Sequence, residues 1–389
     1  MSRARRLGTM LLALIVGACA GPILANPTLA PVVIPTASPA PSRLADPQPV
    51  VFPRDDGPHD RLTEWWYYTG HLLAEDGRRF GFEFVVFRAE RGSASVTWAS
   101  HLALTDEAGD RFLYAQRAEV GAQVDASPRD ASGSPTGFAL AIVGIDPLEP
   151  GLDQQPPWSM LGSGGRDHIN AGTSPGETRG AVFGLALDLV AGKAPALHGG
   201  AGWIDFGGTG SSYYYSRTRM TVSGEIALDS TEMKVTGEAW FDHQWGDFIA
   251  VGGGWDWFAV NLADGTDLTI SVVRAVDGST ALTYGTLVEP DGTALHLEPD
   301  TFQVVPVAGL SWTSPATGAT YPAGWSISVG RGLAIDLLPT VADQELDTRA
   351  TTGVAYWEGS QTVTAFQGRR IPLAGQAYVE LTGYAPAAP

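Results

Sequence analysis

The sequence has a single cysteine, Cys19, in 389 residues, so the chain cannot form an internal disulfide. It is also poor in charge, because only 17% of its residues are charged and 24 basic residues face 42 acidic ones. Nucleic-acid binding requires a basic surface, and the net charge of −18 therefore argues against nucleic acid as a partner. Beyond the N-terminus, no apolar run is long enough to form a transmembrane helix.

Several catalytic and metal-binding motifs are also missing. The sequence has no Gly-x-Ser-x-Gly elbow in a strand-to-helix context and no phosphate-binding glycine loop. Its histidines show neither His-x-x-x-His nor His-x-His spacing. We therefore predict no serine nucleophile, no metal site and no cofactor.

Residues 1–25 have the pattern of a secretory signal peptide. Three arginines precede an apolar run at residues 7–18, which is too short to span a bilayer as a mature helix. Cys19 follows Val-Gly-Ala, a setting similar to the lipobox in which the cysteine of a bacterial lipoprotein is lipidated. Cleavage after Ala25 also fits a small-residue rule and would remove the cysteine, so both alternatives remain open.

The next segment, residues 26–49, is rich in proline, alanine and serine, which is typical of a disordered or polyproline-like linker. Together with the leader, it predicts an exported protein of the cell envelope, in the periplasm or on the outer surface. Contact with the membrane would be through a lipid anchor only.

The remaining sequence favours strands and turns over helices, since it contains 48 glycines and 27 prolines and lacks helical periodicity. Two β-rich runs at residues 63–72 and 79–88 are joined through Asp76-Gly77, which predicts a hairpin. Alternating apolar residues give the second run one strongly apolar face; they are Phe80, Phe82, Phe84 and Val86.

An internal repeat divides this part of the chain. A second hairpin at residues 255–274 turns at Asp264-Gly265 and aligns with the first, and residues 237–241 align with 375–379. The recurrence predicts two copies of one all-β domain at 50–248 and 249–389, each a closed or nearly closed barrel. We expect the first copy to be longer because of inserted loops around residues 146–202.

The most chemically distinctive stretch is residues 240–258, which combines aromatic rings, three carboxylates and His243. Carboxylates flanked by indoles are costly to bury, and an apolar setting can keep such an acid protonated. Asp256, between Trp255 and Trp257, is the first candidate for a proton donor, and Asp242 is the second.

Other side chains of this stretch could act together with such an acid. The indoles of Trp245, Trp255 and Trp257 could stabilise a positive charge, and His243 could orient or deprotonate a water molecule or hold the aspartate in place.

Structural roles are the alternatives. In a strand, Asp256 points away from its tryptophan neighbours and could pair with Arg274. His243 could serve only as a hydrogen-bonded structural residue, and Glu64 could pair with Arg88.

Motifs along the chain resemble the AttH-like and carotenoid 1,2-hydratase (hydroxyneurosporene synthase) superfamily, including its lipoproteins described as predicted secreted hydrolases. The motifs are Glu64-Trp65-Trp66-Tyr67-Tyr68-Thr69-Gly70, Phe82-Glu83-Phe84, His101 with Thr105-Asp106, Asp242-His243-Gln244-Trp245-Gly246 and Gly254-Trp255-Asp256-Trp257-Phe258. The resemblance covers nearly all of residues 50–389. It implies two tandem lipocalin-like (calycin-type) β-barrels.

The resemblance also implies functional residues. His243, Trp245 and Asp256 match positions proposed as catalytic in the hydratases, with Asp242 as a further candidate. The expected ligand-binding residues are Trp255, Trp257, Trp66, Tyr68, Glu64 and His101.

Two functions follow from the resemblance and the site. In the first, the protein binds a hydrophobic isoprenoid, carotenoid or lipid and adds water to a terminal double bond, as a hydro-lyase of the carotenoid 1,2-hydratase type. In the second, it is a non-catalytic AttH-type lipoprotein that binds or carries a lipid in the cell envelope, beside a transporter partner.

Overall fold

Two β-sheets make up most of the structure, a computed structural model that describes residues 45–144, 155–178, 181–248, 253–330, 332–368 and 371–385. The predicted signal peptide with Cys19, and the predicted linker up to residue 44, lie outside the described residues. Within the described part of the chain, no helix is both long enough and apolar enough to span a bilayer.

The first sheet contains twelve strands. They are β1 (Thr63–Ala74), β2 (Arg79–Ala89), β3 (Thr97–Asp106), β4 (Arg111–Val120), β5 (Phe138–Ile142), β6 (Trp158–Ser163), β7 (Arg166–Gly172), β8 (Phe183–Ala191), β9 (Ala196–Leu197), β10 (Trp203–Asp205), β11 (Gly210–Leu228) and β12 (Thr231–Phe248). Short 3-10 turns lie at Arg54–Asp56, Ala122–Val124, His198–Gly200 and Gly207–Thr209.

The second sheet contains eleven strands, and a separate two-stranded ribbon lies within the same half of the chain. The sheet strands are β13 (Trp255–Leu262), β14 (Asp267–Arg274), β15 (Thr280–Val288), β16 (Ala294–Leu297), β17 (Phe302–Pro306), β20 (Trp325–Val329), β21 (Leu333–Pro339), β22 (Glu345–Asp347), β23 (Ala355–Gln367), β24 (Ile371–Leu373) and β25 (Gly375–Thr382). The ribbon strands are β18 (Ser311–Thr313) and β19 (Thr320–Pro322).

The two sheets share one antiparallel topology. In the first, β1 lies between β2 and β12, and β12 pairs with the long strand β11. In the second, β13 lies between β14 and β25, and β25 pairs with β23. This correspondence, with both sheets curved into nearly closed barrels, confirms the predicted all-β fold of two tandem lipocalin-like barrels. The predicted boundary between 248 and 249 stays a prediction, since residues 249–252 lie outside the described residues.

Each barrel has its own core, and a third apolar cluster joins them. Strand β2 contributes to two of these: Phe82 and Phe84 lie in the core of the first barrel, whereas Val85 and Phe87 lie in the joining cluster. The apolar face predicted for this strand lies in the core of the first barrel, and the opposite face is also buried although it carries Glu83. The reason is that the outer face of the first barrel is covered by the second barrel at this place.

The segment around residues 146–202 differs from the loop-rich insertion that we expected. Its described part contains β6, β7 and β8, which extend the first sheet beyond β11. Strand β8 has the alternation of a half-buried strand, because Leu185, Leu187 and Leu189 are buried while residues between them are exposed.

Candidate functional site

A cleft lies between the outer faces of the two barrels. We call it the interdomain cleft. The empty volume between its lining atoms, including the open mouth, is about 810 Å³. Its lining comes from both sheets and consists of Trp65, Tyr67, Glu83, Phe87, Phe206, Tyr214, Asp242, Gln244, Phe248, Trp255, Trp257, Ser271, Val273, Tyr284, Tyr356 and Glu380. Most of these side chains are aromatic, and no described lysine, arginine or histidine is among them.

Strand β12 divides the predicted site between two places. His243 and Trp245 point into the first barrel, where Trp245 belongs to its core, whereas Asp242 and Gln244 line the interdomain cleft. The alternation of a β-strand forces this division, because neighbouring side chains point to opposite faces. Of the predicted catalytic residues on this strand, only Asp242 reaches the cleft.

The same alternation separates Asp256 from its neighbours. Trp255 and Trp257 line the interdomain cleft, but Asp256 does not. Its carboxylate accepts hydrogen bonds from Arg274 and from the Tyr384 hydroxyl, the latter at 3.0 Å. Burial raises the pKa of Asp256, although Arg274 acts in the opposite direction. This is the structural alternative foreseen for the residue, and the catalytic role of Asp256 stays a prediction.

His243 belongs to a buried polar cluster with Glu64 and His59. The Glu64 Oε1 atom lies 2.9 Å from His243 Nε2 and 2.7 Å from His59 Nδ1. Burial alone would raise the pKa of Glu64, but the two imidazoles outweigh it and lower the pKa to about 2. Arg88 lies farther away, with Nη1 3.9 Å from Glu64 Oε2.

One potential ligand atom from each of His59, Glu64 and His243 lies within 4.8 Å of the others, so these residues could hold a metal ion. The two nitrogen–oxygen contacts are hydrogen-bond distances, shorter than the about 3.3 Å that separates neighbouring ligands of tetrahedral zinc. In this conformation the cluster is therefore a hydrogen-bonded network. Sequence reasoning missed His59 because no short metal motif connects the three positions.

The other predicted ligand-binding residues lie away from the cleft surface. Trp66 and Tyr68 are in the core of the first barrel, where the Tyr68 hydroxyl donates to Asp167 at 2.8 Å. His101 lies behind the cleft, with Nδ1 2.7 Å from the hydroxyl of the lining residue Tyr356.

Three carboxyl groups line the interdomain cleft, and a fourth, Glu358, is fully buried beside them. Burial raises the pKa of Glu83 to about 8 and the pKa values of Asp242 and Glu380 to about 7. It raises the pKa of Glu358 well above the ordinary value, with further contributions from Glu380 and Glu83. These acids therefore hold their protons at a pH where exposed carboxyls are ionised.

Asp242 accepts hydrogen bonds from three donors. They are the Tyr214 hydroxyl at 2.6 Å, the Trp240 indole at 2.6 Å and the Ser216 hydroxyl. Behind Ser216, His198 Nε2 lies 2.6 Å from the serine oxygen. Three donors favour the carboxylate form, so they partly offset the effect of burial on the pKa of Asp242.

Glu380 has a different environment. It retains some exposed surface in the cleft and accepts a hydrogen bond from the Trp255 side chain.

Nearby, Glu358 accepts a hydrogen bond from Tyr67 at 2.5 Å and Glu83 accepts one from Tyr356 at 3.1 Å. The second carboxyl oxygen of Glu83 and that of Glu358 have no hydrogen-bond partner among the described residues.

Sequence reasoning missed Glu83, Glu358 and Glu380 as site residues, although a signal for one of them was present. The repeat aligns residues 237–241 with 375–379, so Asp242 in the first copy is the equivalent of Glu380 in the second. The strand registers agree, since β1 pairs Tyr67 with Asp242 and β13 pairs Trp257 with Glu380. Each barrel thus contributes one carboxyl to the cleft from the same strand position.

A family model described as AttH-like matches residues 43–384. Among solved structures, a Nitrosomonas europaea protein described as an AttH is 29% identical, with a TM-score of 0.71 over 88% of this chain and 100% of that one. No curated protein matches the sequence.

Two more distant structures show the same fold. Kievitone hydratase from Nectria haematococca is 14% identical, with a TM-score of 0.63 over 86% of this chain and 93% of that one. CghA, solved with Sch210972, is 10% identical, with a TM-score of 0.53 over 83% of this chain and 89% of that one.

Proposed function

The chain belongs to the AttH-like family, and from this premise we propose that it binds a hydrophobic unsaturated molecule in the interdomain cleft and adds water to a double bond by acid catalysis. The observation that supports this most is the set of carboxyls with raised pKa among aromatic rings, with no described basic side chain in the lining. The fold of kievitone hydratase agrees with hydration as the type of reaction. An isoprenoid or carotenoid is the substrate class that the resemblance of the sequence implies.

We assign the proton donor to Glu380. Protonating an unactivated alkene requires a carboxylic acid that is still protonated at working pH, and burial of Glu380 raises its pKa to about 7. It has fewer hydrogen-bond donors around it than Asp242 and keeps accessible surface in the cleft. Both features suit a group that must transfer its proton to a ligand.

Asp242 suits the complementary role. Burial raises the pKa of Asp242 to about 7 although its three donors favour the carboxylate, so a fraction of Asp242 is ionised near neutral pH and can stabilise positive charge on the neighbouring ligand carbon. Trp255 and Trp257 line the same cleft, and an indole face attracts a desolvated cation by up to about 2 kcal/mol.

The reaction balances without a cofactor. Glu380 transfers its proton to one alkene carbon, and the other carbon becomes a carbocation as the π-bond electrons form the new C–H bond. Water attacks the carbocation, and one proton of the attacking water returns to the Glu380 carboxylate. The net change is the addition of one water molecule to the double bond.

The proposal is tested with the full chain and lycopene, an acyclic carotenoid with terminal trisubstituted double bonds, in water enriched in oxygen-18. We expect a labelled hydroxylated product by mass spectrometry. Glu380→Gln should lower the rate by at least about 100-fold, the usual scale for loss of a general acid, while bound lycopene is retained. The matched control is Asp188→Asn, which removes a carboxyl that is 72% exposed on β8.

Bound lycopene without any labelled product would refute catalysis of this reaction. It would favour the second function, a carrier of hydrophobic molecules in the cell envelope with a transporter partner. For that function we propose export and a lipid anchor at Cys19, supported by the lipobox-like setting of that residue. Absence of both binding and product would refute the cleft as a site for such ligands.

A further inference from the structure

The lining of the interdomain cleft combines features that recognise a large organic cation. We propose that the cleft binds a hydrophobic quaternary ammonium ion more tightly than an uncharged molecule of the same shape. The inference rests on the proposed function for the position of the site, and it adds the charge class of the bound species.

The first feature is the aromatic wall. Trp65, Trp255 and Trp257 line the cleft from two strands that are equivalent in the two barrels. Trp257 meets Tyr67 edge-on, with ring centroids 5.5 Å apart and planes at 87°. Quaternary ammonium groups bind to aromatic cages because each ring presents a negative face to the cation.

The second feature is a group of three carboxyls with no basic side chain in the described lining. Glu83, Asp242 and Glu380 line the cleft, and the described lining contains no lysine, arginine or histidine. Burying three carboxyls costs free energy, and binding of an uncharged hydrocarbon by itself recovers none of that cost. A cation in the cleft would stabilise the carboxylate form of these side chains, for which the described lining offers no basic partner.

The third feature is a buried carboxyl oxygen without a hydrogen-bond partner among the described residues. Glu83 is fully buried and lines the cleft, and its Oε2 atom has no hydrogen-bond partner among the described residues. Its other oxygen accepts from Tyr356 at 3.1 Å. Buried carboxyl oxygens in folded proteins almost always have a partner, so this atom points to a group that a ligand provides, and for the carboxylate form of Glu83 that group is positively polarised.

Binding of a stable cation requires one proton to leave. Where a cleft carboxyl is protonated, an entering ammonium ion pairs with the carboxylate that forms when the proton passes to solvent. In the proposed reaction the same proton passes instead to the alkene carbon, and the carbocation forms beside the new carboxylate. A stable ammonium ligand and a transient carbocation therefore present the same charge to the same side chains.

The test uses two probes of one shape, phenyltrimethylammonium and tert-butylbenzene. Binding to the full chain is measured by tryptophan fluorescence, since three tryptophans line the cleft, and by ligand-observed NMR. We expect the ammonium ion to bind at least about tenfold more tightly than the hydrocarbon, within the range of a desolvated cation–π contact.

The double variant Asp242→Asn with Glu380→Gln should lose this preference by at least about tenfold while still binding tert-butylbenzene. Asp188→Asn on the exposed side of β8 is the control for loss of a carboxyl elsewhere. Retained binding of the hydrocarbon also shows that the double variant is folded.

Equal affinity for the two probes, or a preference that survives in the double variant, would overturn the inference. If lycopene is nevertheless hydrated, the proposed function stands and only the charge class is wrong. If neither probe binds and no product forms, both proposals fail.

Discussion

Replacing Glu380 by glutamine should change how the stability of the protein depends on pH. The pKa of Glu380 rises from 4.5 to about 7 on folding, mainly through burial. A carboxyl whose folded pKa is raised contributes stability that is fully present below pH 4.5 and is lost as the pH rises through about 7. The folded wild type therefore loses stability over this window relative to a variant that cannot ionise at this position.

The magnitude follows from the change in pKa. A rise from 4.5 to about 7 corresponds to about 3 kcal/mol, since each pH unit is worth about 1.4 kcal/mol. Glu380 is only partly buried in the cleft, and solvent screening therefore lowers the expected value to about 2–3 kcal/mol. The free energy of unfolding of Glu380→Gln, minus that of the wild type, should increase by this amount between pH 4.5 and 8.5.

The assay is urea unfolding followed by tryptophan fluorescence at several pH values across this window. Exposed Glu225→Gln on β11 serves as the control for loss of a negative charge at the surface. A difference between Glu380→Gln and the wild type that stays constant to within about 1 kcal/mol would show that Glu380 is already ionised in the folded protein. That result would remove Glu380 as the acid.

Two further substitutions test side chains outside the cleft. Asp256→Asn should lower the free energy of unfolding in urea by about 1–3 kcal/mol because Arg274 loses its ion-pair partner. The rate of lycopene hydration should stay within about twofold of the wild type. Lost turnover at unchanged stability would instead support Asp256 as the acid. Glu64→Gln should lower the free energy of unfolding by about 2–3 kcal/mol at pH 7, because folding lowers the pKa of Glu64 to about 2. The stability that this lowered pKa provides is present above pH 4.5 and is lost as the pH falls through 2. The wild-type advantage should accordingly shrink below pH 4.5 in the same unfolding measurement, and an advantage independent of pH would contradict the ionised state of Glu64.

The fold could be predicted from the sequence because the turn and strand patterns that indicate it are local and occur in both copies. Asp-Gly turns between β-rich runs mark the first hairpins of both barrels, β1–β2 and β13–β14, and both hairpins form as predicted. The recurrence of the second hairpin and of the later strands then predicts two similar barrels. Strands β6–β8 were missed because their glycine-rich connections favoured an interpretation as loops.

Only part of the candidate site could be predicted from the sequence. The stretch around residues 240–258 does contain cleft residues, and Asp242, Trp255 and Trp257 are among them. Which face of a strand meets the cleft depends on the neighbouring barrel, and sequence alternation alone leaves that choice open. For this reason His243 and Asp256 were grouped with residues that point the opposite way.

Sequence by itself determined the all-β class, the duplication and the strand positions that carry aromatic and acidic side chains, because turns and alternation act over a few residues. Only the tertiary structure decided which of these side chains meet. Glu83 and Asp242 come from one barrel and Glu380 from the other, separated by more than a hundred residues, and they line one cleft because the two outer faces pack together. That packing removes the carboxyls from water, and burial is the cause of their raised pKa values.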